Sequence, residues 1–337
     1  MKNSSAKTVP KHSVVIALAG QGKTRGKVAR TQIELTTNQS LAAITFNEHK
    51  VSFDYIFHFL EMQYENLRQI SSGNSGRGGL NLKMISNYLA PIPCPENPEK
   101  SLAIQAEIVR ILDTFTELTT ELTTELTTEL NARQIQYNYY RDKLLSFDEG
   151  EVEWKPLEQL AKNLDSKRKP ITSGLRQAGN TPYYGASGIV DYVKDYIFDG
   201  NYLLISEDGA NLLARNTPIA FSISGKSWVN NHAHVLEFDT YASRKFVEYY
   251  LNSIDLTPYI SGAAQPKLNK RNLNSIKLPN PSPEDKKRIV GILDKFHTLT
   301  NSITEGLPLE IELRKKQYEY YRDLLFSFPK PEKDKAG

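Results

Sequence analysis

The sequence contains the stretch Ile108-Val-Arg-Ile-Leu-Asp-Thr-Phe115 twice, because Ile289-Val-Gly-Ile-Leu-Asp-Lys-Phe296 repeats it 181 positions later. A second block, Gln136-Tyr-Asn-Tyr-Tyr-Arg-Asp-Lys-Leu-Leu-Ser-Phe147, recurs at the same distance as Gln317-Tyr-Glu-Tyr-Tyr-Arg-Asp-Leu-Leu-Phe-Ser-Phe328. Both blocks and the residues between them keep one register without a gap. Self-similarity at a fixed distance indicates a structural unit that occurs twice in the chain.

The residues between the two blocks have the pattern of a long helix. Apolar residues recur every four positions, which keeps them near one helix face that winds slowly. They are Leu118, Leu122, Leu126 and Leu130 in the first copy, within a Thr-Thr-Glu-Leu tandem repeat, and Leu299, Ile303, Leu307 and Ile311 in the second. We predict two long helices, about 107–146 and 287–327, packed side by side. Gly306 and Pro308 should kink or break the second helix.

The segments that precede the helices also correspond, although more weakly. Val51–Leu60 resembles Ala242–Leu251, and Pro91–Pro95 resembles Lys277–Pro281. Short β-rich runs, Gly/Asn turns and one amphipathic helix (about 53–66 and 242–253) predict an α+β module before each long helix. The residues at 151–201 have no counterpart at the amino end, so the first module is expected to be incomplete.

Composition excludes several classes of protein. With 337 residues, of which 39% are hydrophobic and 24% charged, the chain is expected to be globular with about two domains. One cysteine, Cys94, excludes a disulfide framework within the chain and favours a reducing compartment. The net charge of +3 permits nucleic-acid binding without requiring it. The apolar run at 14–19 is short for a signal peptide or a membrane span, so we predict a buried strand there.

A glycine-rich segment near the amino end has two open interpretations. Gly20-Gln-Gly-Lys-Thr24 resembles part of a phosphate-binding loop, but Ala17 stands where the full motif requires glycine. We therefore predict a basic loop or hairpin, whose Lys23, Arg25, Lys27 and Arg30 either contact DNA or remain solvated.

No motif predicts a catalytic or metal site. His232 and His234 could place two metal ligands on one strand face, but no third ligand is evident, so an ordinary strand or turn role is favoured. The adjacent carboxylates Glu207 and Asp208 are expected at the surface, since nothing marks them as an acid–base pair.

Polar, basic and aromatic residues cluster in both modules. Arginine and lysine suit phosphates and guanine, and amide side chains suit adenine edges. Any one of these residues taken alone is more often an ordinary surface side chain, and the clustering is what favours DNA contact. The candidates are Lys23, Arg25, Lys27, Arg30, Asn38, Arg77, Lys167, Arg168, Lys169, Arg176, Tyr183, Tyr184, Lys226, Asn230, Asn231, Lys267, Asn269 and Lys270.

Together these features resemble the specificity (S) subunit of type I restriction–modification enzymes. The shared features are two β-rich modules, each followed by a long helix that ends in Gln-Tyr-x-Tyr-Tyr-Arg-Asp-x-Leu-x-Ser-Phe. The Thr-Thr-Glu-Leu tandem resembles the spacer repeat of the type IC group. The resemblance is strongest over 91–147 and 277–330, and the second module resembles an intact target recognition domain, for example at Pro182–Ile189.

The resemblance implies an α+β fold in which two target recognition domains are separated by two long antiparallel helices, packed like a coiled coil. The resemblance divides the chain into five parts: a shortened first recognition domain (1–105), a central spacer helix (106–148), a second recognition domain (149–286), a carboxy-terminal spacer helix (287–330) and a disordered tail (331–337). The apolar stripe and two tyrosines become candidates for subunit interfaces: Leu118, Leu122, Leu126, Leu130, Tyr140, Leu299, Ile303, Leu307, Ile311 and Tyr321.

The resemblance also implies function. Each recognition domain of an S subunit reads half of a bipartite site in double-stranded DNA, and the subunit itself has no catalytic centre, cofactor or metal. Two modification subunits bind it and carry S-adenosylmethionine, and restriction subunits add ATP- and Mg-dependent translocation and cleavage. A cytoplasmic location without membrane contact is expected.

This sequence departs from the family pattern in its shortened first domain, so the resemblance does not extend half-site reading to that domain. One hypothesis is therefore that the chain pairs with a second copy or has altered specificity. Alternatives from other classes are a stand-alone DNA-binding regulator, a helical scaffold and a nucleotide hydrolase that uses Gly20–Thr24.

Overall fold

The structure, a computed structural model, describes residues 8–20, 23–71, 79–148, 150–262, 265–301 and 305–328. The chain forms two compact units: unit 1 comprises Met1–Thr128 and Leu309–Gly337, and unit 2 comprises Glu129–Pro308. The candidates Arg77 and Ile303 and the tail predicted at 331–337 lie outside the described residues. Of the helices described, none is both long and apolar enough to cross a membrane.

Unit 1 begins with a small antiparallel sheet against which a helix packs. Its elements are β1 (Thr8–Val9), β2 (Val14–Ala17), β3 (Val28–Arg30), β4 (Leu35–Thr36), β5 (Leu41–Ile44), α1 (Phe53–Met62), α2 (Tyr64–Ile70) and α3 (Leu82–Ser86). β2 lies between β3 and β5, and β1 pairs with β4. Val14, Ile16 and Tyr55 are fully buried where β2 meets α1. The predicted buried strand is confirmed, whereas the helix predicted over 53–66 is divided in two at Gln63.

The first long helix, α4 (Pro98–Leu144), has 47 residues and no interruption. It is therefore about 70 Å long at about 1.5 Å per residue. The periodicity predicted a start near residue 107, but the helix begins earlier, at Pro98. The start is fixed by Asn97, whose side chain accepts a hydrogen bond from the Lys100 N–H at 3.0 Å. Asparagine at the N-cap followed by Pro98 is a favoured helix start.

The middle of α4 is stabilised almost entirely by its own backbone and side chains. No residue between Leu112 and Tyr137, a stretch that is described throughout, is buried. Threonine hydroxyls in the tandem repeat donate to the carbonyl oxygen four residues earlier, as Thr123 does to Thr119 at 2.7 Å and Thr127 to Thr123 at 2.6 Å. The repeat therefore forms a helix without a core of its own.

Unit 2 contains a six-stranded sheet with the strand order β7-β12-β10-β11-β8-β9. Its elements after α4 are β6 (Glu153–Pro156), β7 (Lys162–Asn163), β8 (Ala178–Gly185), β9 (Gly188–Val193), β10 (Phe198–Ser206), α5 (Asn211–Ala214), β11 (Ala220–Val229), β12 (Ala233–Glu237), α6 (Tyr241–Ser253), α7 (Lys270–Ser275), β13 (Lys277–Asn280) and α8 (Pro283–Asn301). Strands β8 and β11 pair in parallel, and the other pairs are antiparallel. Leu203 and Ile205 of β10 share one core with Phe246 of α6 and Leu293 of α8.

The second long helix is broken, as Gly306 and Pro308 predicted. Helix α8 ends at Asn301, and α9 (Leu307–Leu325) starts again after Gly306, which has a φ of 83°. A Cβ at Gly306 would lie 2.6 Å from the Thr298 carbonyl oxygen and 2.8 Å from that of Leu299. Only glycine accommodates both this left-handed conformation and this close approach.

The same aromatic contact between repeat copies occurs in both units. In unit 1 the rings of Phe115 and Tyr321 are 5.7 Å apart. In unit 2 the equivalent rings, Phe296 and Tyr140, are also 5.7 Å apart. These contacts confirm that α4 packs against the second copy of the helical block, through α9 in unit 1 and through α8 in unit 2.

Candidate nucleic-acid interface and subunit surfaces

Four loops of unit 2 meet at one end of its sheet, and we call them the loop cluster. They are the β8–β9 turn (185–188), the turn after β10 (207–209), the β11–β12 turn (230–232) and the segment before α7 (265–268). Main-chain hydrogen bonds join three of them, from Glu207 N to His232 O at 2.9 Å and from Leu268 N to Glu207 O at 2.8 Å. The β8–β9 turn is joined to β10 by the Ser206 hydroxyl, which donates to the Ala186 carbonyl oxygen at 2.5 Å. The four loops are thereby fixed relative to one another.

A buried network of charged groups lies beneath the loop cluster. The Glu207 carboxylate accepts from Arg168 at 2.6 Å and pairs with Lys267 at 3.1 Å. Asp165 lies 2.7 Å from Nδ1 of His234 and accepts from the Val235 N–H at 3.0 Å. Such buried pairs of opposite charge favour one specific geometry, because moving or removing one partner would leave the other buried without a partner.

The electrostatics of the two buried carboxylates follow from these contacts. Burial acts to raise the pKa of Asp165, but the hydrogen bond and charge of His234 outweigh burial, so this pKa lies below its ordinary value. Burial likewise acts to raise the pKa of Glu207, and Arg168, His234 and Lys267 lower it overall. Both groups are therefore carboxylates at neutral pH. The expectation that Glu207 is a surface residue was wrong, because its side chain is the centre of this network.

The same network contains the best metal-like cluster among the described residues. Ligand atoms of Asp165, Glu207 and His234 lie within 4.8 Å of one another. Nε2 of His234 lies 2.7 Å from the Leu268 carbonyl oxygen, which can only accept, so this nitrogen carries a proton. Nδ1 is already bonded to Asp165, and Arg168 stands against both carboxylates. The cluster therefore fits an ion-pair network and not a metal site.

Four polar side chains stand on the surface of the loop cluster, exposed or partly exposed. His232 and Asp208 form a pair in which Nδ1 is 2.9 Å from each carboxylate oxygen. Asn231 is exposed beside them, and Lys267 is half-exposed although it pairs with Glu207. Sequence reasoning included Asn231 and Lys267 but missed Asp208 and treated His232 as an ordinary strand or turn residue.

A second exposed surface runs over β9 and its neighbours. Tyr192 and Tyr196 are about half exposed, and the Lys226 ammonium lies 4.6 Å from the centre of the Tyr196 ring. Ile189 and Val190 of β9 are also exposed. Aromatic and apolar groups beside lysines can contact nucleic acid by stacking and by phosphate pairing.

Many of the predicted DNA-binding candidates are exposed in the structure, and others contact residues of the same chain. Exposed are Lys23, Lys27, Asn38, Lys167, Lys169, Lys226, Asn231, Lys267 and Lys270, whereas Arg25 and Tyr184 are partly buried. Lys23 and Lys27 lie on the loop joining β2 to β3, as the predicted basic hairpin requires. This exposure is compatible with DNA contact and does not test it.

Other predicted candidates make contacts within the chain. Tyr183 is fully buried, so its ring cannot reach DNA, and the Arg176 guanidinium lies over it at 4.4 Å while pairing with Asp191. Arg168 belongs to the buried network. Arg30 pairs with Asp54 at 2.8 Å. Two asparagines cap local structure and are engaged by it: Asn230 in the β11–β12 turn and Asn269 at the start of α7.

The helical segments present a surface that occurs once in each unit. In unit 2 the Arg141 guanidinium lies 5.8 Å from the ring of Tyr137, and in unit 1 Arg322 lies 5.9 Å from the ring of Tyr318. Each pair lines a groove between the helices. The unit 2 groove also includes Gln134, His297, Asn301 and Asn252, and the unit 1 groove includes their counterparts Lys315, Thr116, Thr120 and Glu61.

Next to each groove lie exposed tyrosines. Tyr139 is 59% exposed and Tyr320 is 64% exposed, while Tyr140 and Tyr321 are 37% and 40% exposed. We call these pairs the tyrosine patches. Of the predicted interface leucines and isoleucines, Leu118 is exposed, and the others that are described are half-buried: Leu122, Leu126, Leu130, Leu299, Leu307 and Ile311.

Comparison with known proteins gives a consistent result. The profile of a family described as type I restriction modification DNA specificity domain matches residues 1–132 and 149–313. The chain is 41% identical over 312 residues to the EcoR124I/EcoR124II specificity subunit of Escherichia coli, covering 85% of this chain and 73% of that protein. It is 38% identical over 311 residues to the EcoprrI specificity subunit of Escherichia coli, covering 89% and 74%.

Solved structures share the fold. An S subunit of a type I restriction–modification system from M. genitalium aligns with 96% of this chain and 84% of its own, with a TM-score of 0.52 and 16% identity. A chain from a study of type I R-M complex assembly and conformational transition aligns over the same shares with a TM-score of 0.62 and 14% identity. Because the profile matches most of the sequence and relatives align along more than four-fifths of it, the chain belongs to the family of type I restriction–modification specificity subunits.

Proposed function

We propose that this chain reads the DNA sequence for a type I restriction–modification complex and that unit 2 contacts DNA through the loop cluster. The observation that carries the proposal is the rigid seating of exposed polar groups over a buried ionic network. His232 is held by Asp208 and Lys267 by Glu207 before any ligand arrives. Preorganised donors and acceptors are what base reading requires, because bases are distinguished by the positions of such groups in the major groove.

Exposed lysines of both units would supply the sequence-independent part of binding. Lys167, Lys169 and Lys226 are exposed in unit 2, and Lys23 and Lys27 are exposed in unit 1. Each phosphate contact that such a residue makes steepens the salt dependence of DNA affinity. Lys226→Ala should therefore weaken binding of all sequences alike and reduce the slope of log affinity against log salt by about one.

The tyrosine patches are the proposed docking sites for partner subunits. Tyr140 and Tyr321 pack on Phe296 and Phe115 between the helices, whereas their neighbours Tyr139 and Tyr320 are 59% and 64% exposed. Packing between the helices therefore does not explain why the exposed tyrosine occurs in both repeat copies. Exposed tyrosines beside arginine are typical of the residues that dominate protein–protein binding energy. Because the patch and its groove occur once in each unit, the proposed partner is one kind of subunit bound in two copies, namely the modification subunit.

No catalytic step is assigned to this chain. The proposal gives S-adenosylmethionine to the modification subunits, and ATP and Mg²⁺ to the restriction subunits, and it places the complex with cellular DNA in the cytoplasm. The assignment is supported by the family relationship and by the use of Asp165 and Glu207, the buried carboxylates of unit 2, in ion pairs.

The test is a map of methylated adenine in cells that express this chain with its modification subunit. The proposal predicts methylation at one defined DNA sequence that disappears when the chain is omitted. A bipartite motif would show that both units read DNA, and a single half or its palindrome would assign readout to one unit. Methylation without any sequence preference would contradict the proposed function.

A further inference from the structure

The pair formed by His232 and Asp208 is an unusual feature for an exposed turn. His232 is half-exposed, yet its backbone and its ring are both fixed. Its N–H donates to the Asn230 side chain at 2.8 Å, and its carbonyl oxygen accepts from Glu207 N at 2.9 Å. Its Nδ1 is shared between both oxygens of Asp208 at 2.9 Å.

Stability does not account for this arrangement. An exposed carboxylate–histidine pair contributes little to folding, because water screens its charges and both side chains lose rotamer freedom. The turn is already held by main-chain bonds and by the buried network beneath it. What the pair does achieve is to fix the direction in which the imidazole points.

The carboxylate also fixes the chemistry of the outer nitrogen. The ring nitrogen that bonds a carboxylate keeps its proton, so the neutral ring has Nδ1–H facing Asp208 and a lone pair on Nε2. Within the described residues Nε2 of His232 has no hydrogen-bond partner. In that neutral form, the exposed nitrogen is a hydrogen-bond acceptor held in a fixed position.

We propose that His232, oriented by Asp208, reads the exocyclic amine of a base in the major groove. Only adenine N6 and cytosine N4 present such a donor there, so the chemistry selects an amine-bearing base and disfavours guanine and thymine. The negative charge of Asp208 disfavours a phosphate at the same place. Asp208 acts as a positioning residue. The inference rests on the proposed function of the loop cluster.

The experiment is a thermodynamic cycle of DNA-binding affinities, in which the base amine and the His232 side chain are removed separately and together. The complete complex with its modification subunits is titrated at pH 8, where an ordinary imidazole is neutral. The probes are duplexes carrying the mapped motif. At each adenine of the half-site the base is replaced by unsubstituted purine, and at each cytosine by pyrimidin-2-one. Both replacements delete only the amine, and comparing them distinguishes an adenine target from a cytosine target.

One position should show coupling. There, loss of the amine should weaken binding by the wild-type complex about 3- to 10-fold, the value of one hydrogen bond, and should not weaken binding by His232→Ala. His232→Gln, which retains an acceptor, should recover part of the difference, and Asp208→Asn should reduce it. Asp255→Asn, which changes an exposed carboxylate elsewhere in unit 2, is the matched control and should leave the coupling unchanged.

The outcomes separate the inference from the function on which it rests. Equal losses in wild type and His232→Ala at every position would overturn the reading role, while sequence-specific binding by wild type would leave the proposed function intact. A wild-type complex that binds all sequences equally would overturn both. Unfolding curves of the variants confirm that each folds.

Discussion

Deleting one tandem repeat, Thr123–Leu126, should shift the two halves of the recognition sequence relative to each other. Four helical residues account for about 6 Å of axial length and about 400° of rotation, which is 40° beyond a full turn. DNA rises about 3.4 Å and turns about 35° per base pair. The length therefore corresponds to slightly under two base pairs and the rotation to about one. We expect the spacer of the motif to shorten by one or two base pairs.

The deletion should leave the fold intact, so a change in the motif can be attributed to the length of α4. No residue between Leu112 and Tyr137 is buried, and the deleted threonines bond only to the backbone of α4. Removing four residues also restores the apolar stripe to nearly the same face. Removing only Thr123 and Thr124 rotates the carboxy-terminal part of α4 by about 200°, so this shorter deletion should abolish methylation.

The assay is the methyladenine map, taken for wild type, for the four-residue deletion and for Thr123→Ala/Thr124→Ala. The alanine variant keeps the length and should keep the wild-type spacer. An unchanged spacer in the four-residue deletion, with a bipartite motif in wild type, would refute the idea that the length of α4 sets the distance between half-sites.

Three further predictions concern stability and assembly. Asp165→Asn should destabilise unit 2 by about 3–5 kcal/mol at pH 7, since it removes the buried carboxylate that bonds Nδ1 of His234 and pairs with Arg168; both tryptophans, Trp154 and Trp228, lie in unit 2, so their fluorescence reports its unfolding. The pKa of Asp165 is lowered in the folded state, so the contribution of its charge to the free energy of unfolding is complete above about pH 4. That contribution is lost as the pH falls through the pKa of the folded state. The stabilities of wild type and Asp165→Asn should therefore converge at low pH. Gly306→Ala should lower the free energy of unfolding by more than about 1 kcal/mol, because alanine is strained in a left-handed conformation. The control is Gly291→Ala inside α8, where a Cβ would meet nothing within 4 Å, and this change should be neutral or stabilising. Equal effects of the two changes in urea titrations would contradict a special requirement for glycine at position 306. Tyr139→Ala and Tyr320→Ala should each weaken one modification-subunit site about tenfold without changing stability, and native mass spectrometry of titrated complexes should show one subunit lost per variant.

The parts of the fold that the sequence predicted are those encoded by local pattern. A spacing of four residues predicted α4, and Gly306 with Pro308 predicted the break between α8 and α9. The repeat predicted that its two copies would contact each other, and the matching pairs of Phe115 with Tyr321 and Phe296 with Tyr140 confirm this. Periodicity could not locate the start of α4, because the capping residue Asn97 lies outside the apolar pattern.

The candidate site was less predictable because it depends on distant contacts. Arg168 and Tyr183 have the residue types of DNA-contacting side chains, yet one is paired inside unit 2 and the other is fully buried. Glu207 and His234 approach each other only because β10 pairs with β12. Residue type indicates which chemistry is available, but burial decides which side chains remain available to a ligand. The pairing of His232 with Asp208, 24 positions apart, left no signal in the sequence.

The self-contained helix at the centre of α4 has an evolutionary consequence. Because its threonines satisfy the backbone of their own helix and its leucines belong to no core, a lineage can gain or lose whole repeats without passing through a misfolded intermediate. Each such change is a single heritable step with a discrete phenotype. On the proposed function, selection can therefore act on the spacing between half-sites while the two units themselves stay unaltered.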